Sequence, residues 1–154
     1  MKRFKESQNM LAIWLFVIFA LIIGYEIYLA FPNPAGIFKE PGFWFPLAVL
    51  LFLVLVRLKT RYDAQGIHIV FLPFIWKKFI SWEEIGSAYL RTYSLSDFGG
   101  WGFRIGKEGK AYTTKGNHGL QLIFKNGSKI LIGTQEPDKI QEIINQYKPY
   151  KDEF

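Results

Sequence analysis

Residues 11–31 read LAIWLFVIFALIIGYEIYLAF, twenty-one positions with a single charge, Glu26. At about 1.5 Å of rise per residue such a run makes a helix of roughly 30 Å, the thickness of a bilayer's hydrocarbon core. Lys2, Arg3 and Lys5 precede it, which also suits a secretory signal peptide. A signal peptide's apolar core is only about 7–15 residues long, however, and no Ala-x-Ala-like cleavage site follows here. The sequence therefore predicts an uncleaved spanning helix.

A second apolar run, residues 43–58, reads FWFPLAVLLFLVLVRL. Its sixteen residues would reach about 24 Å as a helix. Phe43, Trp44 and Phe45 suit the outer interface, and Arg57 can snorkel at the inner one. Pro46 is expected in the first turn, where its missing N–H costs little. The link at 32–42, PNPAGIFKEPG, holds three prolines and two glycines, a tight reversal. The expected arrangement is a two-helix transmembrane hairpin over 11–58. Cations gather at the inner ends of both spans (Lys2, Arg3 and Lys5; Arg57, Lys59 and Arg61), whereas the link has only Lys39, offset by Glu40. The positive-inside rule then makes the protein multi-pass with both termini cytoplasmic, residues 1–10 forming a basic N-terminal segment.

Glu26 stands five residues before Phe31, about 8 Å from the outer end of the first span. An intramembrane carboxylate is a functional candidate. The alternative is an interfacial glutamate that reaches water or pairs with Lys39.

Beyond Leu58 the hydrophobic period changes from helical to alternating. Thr60–Tyr62, 67–71, 77–80, 87–93, 103–105, 111–114, 120–124 and 129–132 read as short strands separated by turns. Ile67, Ile69 and Phe71 share one face, with His68 and Val70 on the other. Ser81 caps a helical turn at 82–85. LQLIF-KNGS-KILI, residues 120–132, is the plainest hairpin. Over 137–147 the period returns to helical: Pro137 opens the segment, and Ile140, Ile143, Ile144 and Tyr147 form one stripe. Pro149 ends it, leaving a tail at 149–154. The predicted β-domain, 59–148, is an antiparallel barrel or sandwich flanked by this C-terminal helix.

Composition narrows the chemistry. The 154-residue chain is 50% hydrophobic, 21% charged and free of cysteine, which removes disulfides, thiolate nucleophiles and cysteine zinc sites. The formal charge is +6. From Lys59 onward fourteen Lys/Arg stand against ten Asp/Glu, with no run of five like charges. That describes a solvated basic surface beside anionic lipid rather than a nucleic-acid groove.

GGWGFRIGKEGK, residues 99–110, spaces Gly100, Gly102 and Gly106 like a phosphate-binding loop. Such a loop needs a helix N-terminus after it, and Phe-Arg-Ile followed by Gly-Lys-Glu-Gly-Lys has no helical stripe. The glycines read as a connector. Trp101 and Arg104 within it are either a docking pair or a core tryptophan beside a paired arginine, with Ser94, Ser96 and Asp97 as nearby polar partners. His68 and His118 have no ligand-spaced companions, no Gly-x-Ser-x-Gly elbow is present, and Glu83-Glu84 and Asp152-Glu153 read as solvated neighbours. No catalytic residue, metal or cofactor is expected.

Gly100-Trp101-Gly102-Phe103-Arg104 and Ile132-Gly133-Thr134-Gln135-Glu136-Pro137 together resemble a group of bacterial membrane proteins with a pleckstrin-homology-like (PH-like) domain. The likeness runs over about residues 11–146. It implies an α+β membrane protein: a helical hairpin, then a small antiparallel β-barrel or sandwich with a C-terminal helix. Eukaryotic relatives bind phosphoinositides through a basic cluster in the first hairpin, and Lys77 and Lys78 stand near the corresponding turn. The expected role is a non-catalytic binding or scaffolding module at the cytoplasmic face of the inner membrane. Its partners would be the lipid bilayer and a membrane protein or a second copy, not nucleic acid. An anionic-lipid sensor, or an accessory subunit of a membrane enzyme or transporter, is the alternative.

Overall fold

The structure, a computed structural model, describes residues 3–94, 96, 100–106 and 109–147. Asp97, residues 107–108, Pro149 and the Asp152-Glu153 pair lie outside the described residues. The chain divides into two units: Asn9–Val56, and Met1–Gln8 with Arg57–Phe154.

The first unit is helical. α1 (Ile13–Ala30) has no buried residue, and leucines, isoleucines and phenylalanines cover its surface. A 3-10 helix (Pro34–Lys39) turns the chain into α2 (Pro41–Leu55), which packs beside α1. Phe38, Phe43 and Trp44 cluster at this turn, and the Trp44 indole N–H donates to the Phe38 carbonyl at 2.9 Å. At the open end, Met10 N–H donates to Val56 O at 3.3 Å.

Among the described residues, only α1 is both long and apolar enough to cross a bilayer. The second span expected at 43–58 is corrected to a fifteen-residue helix of about 22 Å, because the chain has turned extended by Arg57. The change of period explains the early end: Leu58, Thr60 and Tyr62 are buried on one face of a strand, with Arg57, Lys59 and Arg61 on the other. The helix also begins at Pro41, so Pro46 lies past the first turn and Gly42 C=O lacks its usual donor.

The second unit includes β1 (Phe4–Asn9), β2 (Arg57–Tyr62), β3 (Gly66–Leu72), β4 (Ile75–Ser81), β5 (Ile85–Thr92), β6 (Gly102–Gly106), β7 (Gly109–Thr113), β8 (His118–Phe124), β9 (Lys129–Thr134) and the C-terminal helix α3 (Pro137–Tyr147). They form two sheets, β1-β2-β3-β4 and β5-β8-β9-β7-β6. The expected barrel does not close, and β7 pairs with β9 in parallel in an otherwise antiparallel second sheet.

The N-terminal segment contributes to the β-domain, since Phe4–Asn9 supply the first strand. Glu6 and Gln8 turn inward and are buried. Gln8 Nε2 donates to Gly133 O and Gln8 Oε1 accepts from Thr114 Oγ1, both at 2.8 Å. Glu6 accepts from Thr134 Oγ1 at 2.8 Å and from Gln135 N–H at 2.7 Å. Burial nevertheless raises the Glu6 carboxyl above its ordinary range, outweighing these two donors.

Between the sheets, Tyr112 of β7 stacks on Phe103 at 5.6 Å and meets Phe71 of β3 edge-on at 6.3 Å. α3 lays its stripe over β5 and β8. Ile140, Ile143 and Ile144 are buried, each removing about 1.5–3 kcal/mol worth of apolar surface from water. Tyr147 stacks on Trp82 at 5.4 Å, and Trp82 donates to Asp63 O at 2.8 Å. Ser81 caps the 3-10 turn Trp82–Glu84, accepting from Glu83 N–H at 3.3 Å.

Candidate functional site: a basic groove on the four-stranded sheet

Alternation along four short strands builds the site. With Glu6 and Gln8 directed inward, Lys5 and Ser7 are exposed on the other face of β1. In the same way Arg57, Lys59 and Arg61 are exposed on β2, and half-buried His68 and Val70 face outward from β3. At β4 the register slips: Ile69 opposes Lys78, but Phe71 opposes Ile75. One extra residue therefore faces Val70, and both Trp76 and Lys77 are thrown outward. Trp76 is 78% exposed. The result is a shallow groove of ≈ 610 Å³ lined by Lys5, Lys59, Arg61, Val70, Trp76 and Lys77 among others.

Asp63 organises one end of it. Its Oδ1 accepts from Gln65 N–H at 3.1 Å and Gly66 N–H at 3.3 Å, closing the β2–β3 turn. Its Oδ2 lies 3.1 Å from Arg61 and 3.2 Å from His68 Nε2. Partial burial opposes charge on this carboxyl, but the turn N–H groups, His68 and Arg61 outweigh it and hold Asp63 below the usual carboxylate range. His68 Nε2 also stands 3.1 Å from Arg61, so it accepts from the guanidinium when unprotonated and donates to Asp63 when protonated.

The two adjacent lysines part company. Lys77 lines the groove, whereas Lys78 points between the sheets, donating to Tyr112 Oη at 3.1 Å with its Nζ 5.5 Å from that ring's centre. Trp101 is half-buried and donates to Gly116 O at 3.1 Å, pinning the start of β6 to the turn before β8. Arg104 is exposed on β6, at the edge of the second sheet. Neither Trp101 nor Arg104 joins the groove. The glycine loop leads into a strand, and Gly100 and Gly102 have φ of 115° and 112°, which explains their glycines by backbone geometry.

In the helical unit Glu26 is half-exposed and lies against the start of α2: a Cβ at Gly42 would stand 3.4 Å from its Oε1. It borders a cleft of ≈ 300 Å³ with Asn33 and Glu40, and no ion pair with Lys39 occurs among the described residues. His118 approaches Thr92 Oγ1 at 3.5 Å. No cluster of three metal-ligating side chains occurs among the described residues.

Sequence reading singled out Lys77 but passed over Lys5, Lys59, Arg61 and Trp76. A signal was present in R-L-K-T-R-Y, residues 57–62, where cations alternate with residues fit for a core. The bulge that exposes Trp76 leaves no such trace. Comparison with protein-family models and with curated proteins finds no match for the chain. The class that fold and groove define is thus an α+β protein with one long apolar helix, two packed sheets and a basic sheet face.

Proposed function

We propose that the protein is a membrane-anchored, non-catalytic binding module of the bacterial PH-like kind, held at the cytoplasmic face of the inner membrane. One observation carries this reading. β1 precedes the helical hairpin, β2 follows it, and the two are neighbours in one sheet. That neighbourhood supports a hairpin whose two ends lie on one side of a bilayer. A crossing by α1 requires a return through the turn and α2. A helix of about 22 Å can return where the bilayer thins locally around it. The aromatic cluster at the hairpin turn suits the far interface, and Arg3, Lys5, Arg57 and Lys59 suit the cytoplasmic one.

The chain has no cysteine, so single cysteines report topology directly. Asn33→Cys in the hairpin link and Asn126→Cys in the β8–β9 turn are to be labelled in sealed vesicles with a membrane-impermeant thiol reagent. Labelling from opposite sides is expected. Labelling of both from one side would rule out the double crossing. Release of the unmodified protein by alkaline carbonate would remove the anchor altogether.

A further inference from the structure

We infer that the outward face of the four-stranded sheet, with Lys5, Arg57, Lys59 and Lys77 as its cations and Trp76 beside them, binds the headgroups of anionic phospholipid. This rests on the membrane-anchored reading and names the partner of the groove.

Charge is the first argument. β1, β2 and β4 contribute five cations to one face, of which Arg61 is matched by Asp63. Among the described residues no ion pair engages the other four. Apart from Asp63, the described acidic side chains of this unit lie elsewhere: Glu6 turns inward, Glu83 and Glu84 sit on the 3-10 turn, and Glu136, Asp138 and Glu142 belong to α3 or its approach.

Exposed aromatic surface is the second. Trp76 is 78% exposed, a large apolar group left in water at a cost. Indole beside ammonium is the pairing that bilayer interfaces favour.

Register supplies the third. Arg57 lies opposite Leu72, so the Pro73–Phe74 turn and Trp76 emerge at the end of the sheet where the chain arrives from α2. Val56, the last residue of the helical unit, directly precedes Arg57. The basic face is therefore covalently tied within a few residues of lipid. Anionic headgroups reach it at high effective concentration and within a Debye length of about 8–10 Å, an advantage no free nucleic acid or acidic protein shares.

The test uses the full chain in lipid nanodiscs, with Ser7→Cys in the groove carrying an environment-sensitive dye. Discs of phosphatidylcholine alone are compared with discs containing roughly 30% phosphatidylglycerol, and accessibility to a neutral aqueous quencher is read. Protection in the anionic discs only, lost in about 0.5 M salt, is expected. Lys59→Gln and Lys77→Gln should each weaken the protected state about fivefold, with unchanged circular dichroism. Equal accessibility in both disc types, in protein that stays in the discs, overturns the inference and leaves the anchor standing. So does protection indifferent to salt and lysine content. Protection by a duplex oligonucleotide in neutral discs would give the face to nucleic acid instead. Failure of the chain to enter discs at all would topple the anchor, and this inference with it.

Discussion

Gln8, ahead of the apolar hairpin, donates a 2.8 Å hydrogen bond to the carbonyl of Gly133, 125 positions along the chain. Its other amide atom accepts from Thr114, so one buried side chain ties the first strand to β9 and to the end of β7. The N-terminal segment is thus part of the β-domain core. Gln8→Ala should lower the domain's stability by about 1–3 kcal/mol, since it leaves a buried carbonyl and hydroxyl unsatisfied. Urea unfolding in mild detergent, followed by tryptophan fluorescence, measures this; an unchanged midpoint would detach β1 from the core.

Because Met10 N–H reaches Val56 O at 3.3 Å, the ends of the hairpin are close enough for a short bridge. Replacing residues 11–55 with a few Gly and Ser should give a monomeric β-domain that is folded and soluble without detergent. Truncation to residues 59–154 should not, because it removes β1 and the first two residues of β2. Proton NMR dispersion of the two purified proteins separates these outcomes.

Glu6 supplies a pH signature. Its folded-state pKa lies above the unfolded value, so the neutral acid is the form that folding prefers. Its contribution to stability is complete below the ordinary glutamate range and is lost as pH rises through the higher folded value. Glu6→Gln should flatten that fall. The check is the difference between wild-type and variant melting temperatures from about pH 4 to pH 7; curves that stay parallel would contradict the assignment.

Asp63 works in the opposite direction, since its folded pKa is lowered. Its contribution is present above the unfolded aspartate range and disappears as pH falls through the lower folded value. Asp63→Ala should weaken the β2–β3 turn and blunt the acid end of the same titration, with Asp63→Asn recovering part of the turn through its carbonyl oxygen.

Ile144→Ala should cost about 2–5 kcal/mol by opening a cavity under α3. The residue is 1% exposed and belongs to the stripe over β5 and β8. Loss of near-ultraviolet signal from Trp82, which stacks on Tyr147, would accompany the destabilisation.

Strong periodicity was readable from sequence, and weak periodicity was not. α3 follows its isoleucine stripe from Pro137 to Tyr147, and β8 and β9 flank Lys125-Asn126-Gly127-Ser128 as the turn residues dictate. β1 was invisible because its inward positions include Glu6 and Gln8, polar groups whose partners lie more than 100 residues away. Hydrophobic alternation cannot announce a strand that buries a carboxylate. The end of α2 was misread because Val56 and Leu58 serve equally well in a membrane helix or a buried strand, and the inward turn of Tyr62 decides between them. Of the groove, only Lys77 was foreseen. The remainder depends on which strands become neighbours and on a bulge at Val70.

The side-chain hydrogen bonds from β1 to Thr114, Gly133 and Thr134 impose an order on biosynthesis. Glu6 leaves the ribosome early, yet its acceptor role waits for Thr134, 128 residues later. At ordinary translation rates that delay is on the order of ten seconds. Until then β1 has only β2 beside it, so the buried polar core closes only when almost the whole chain has been made.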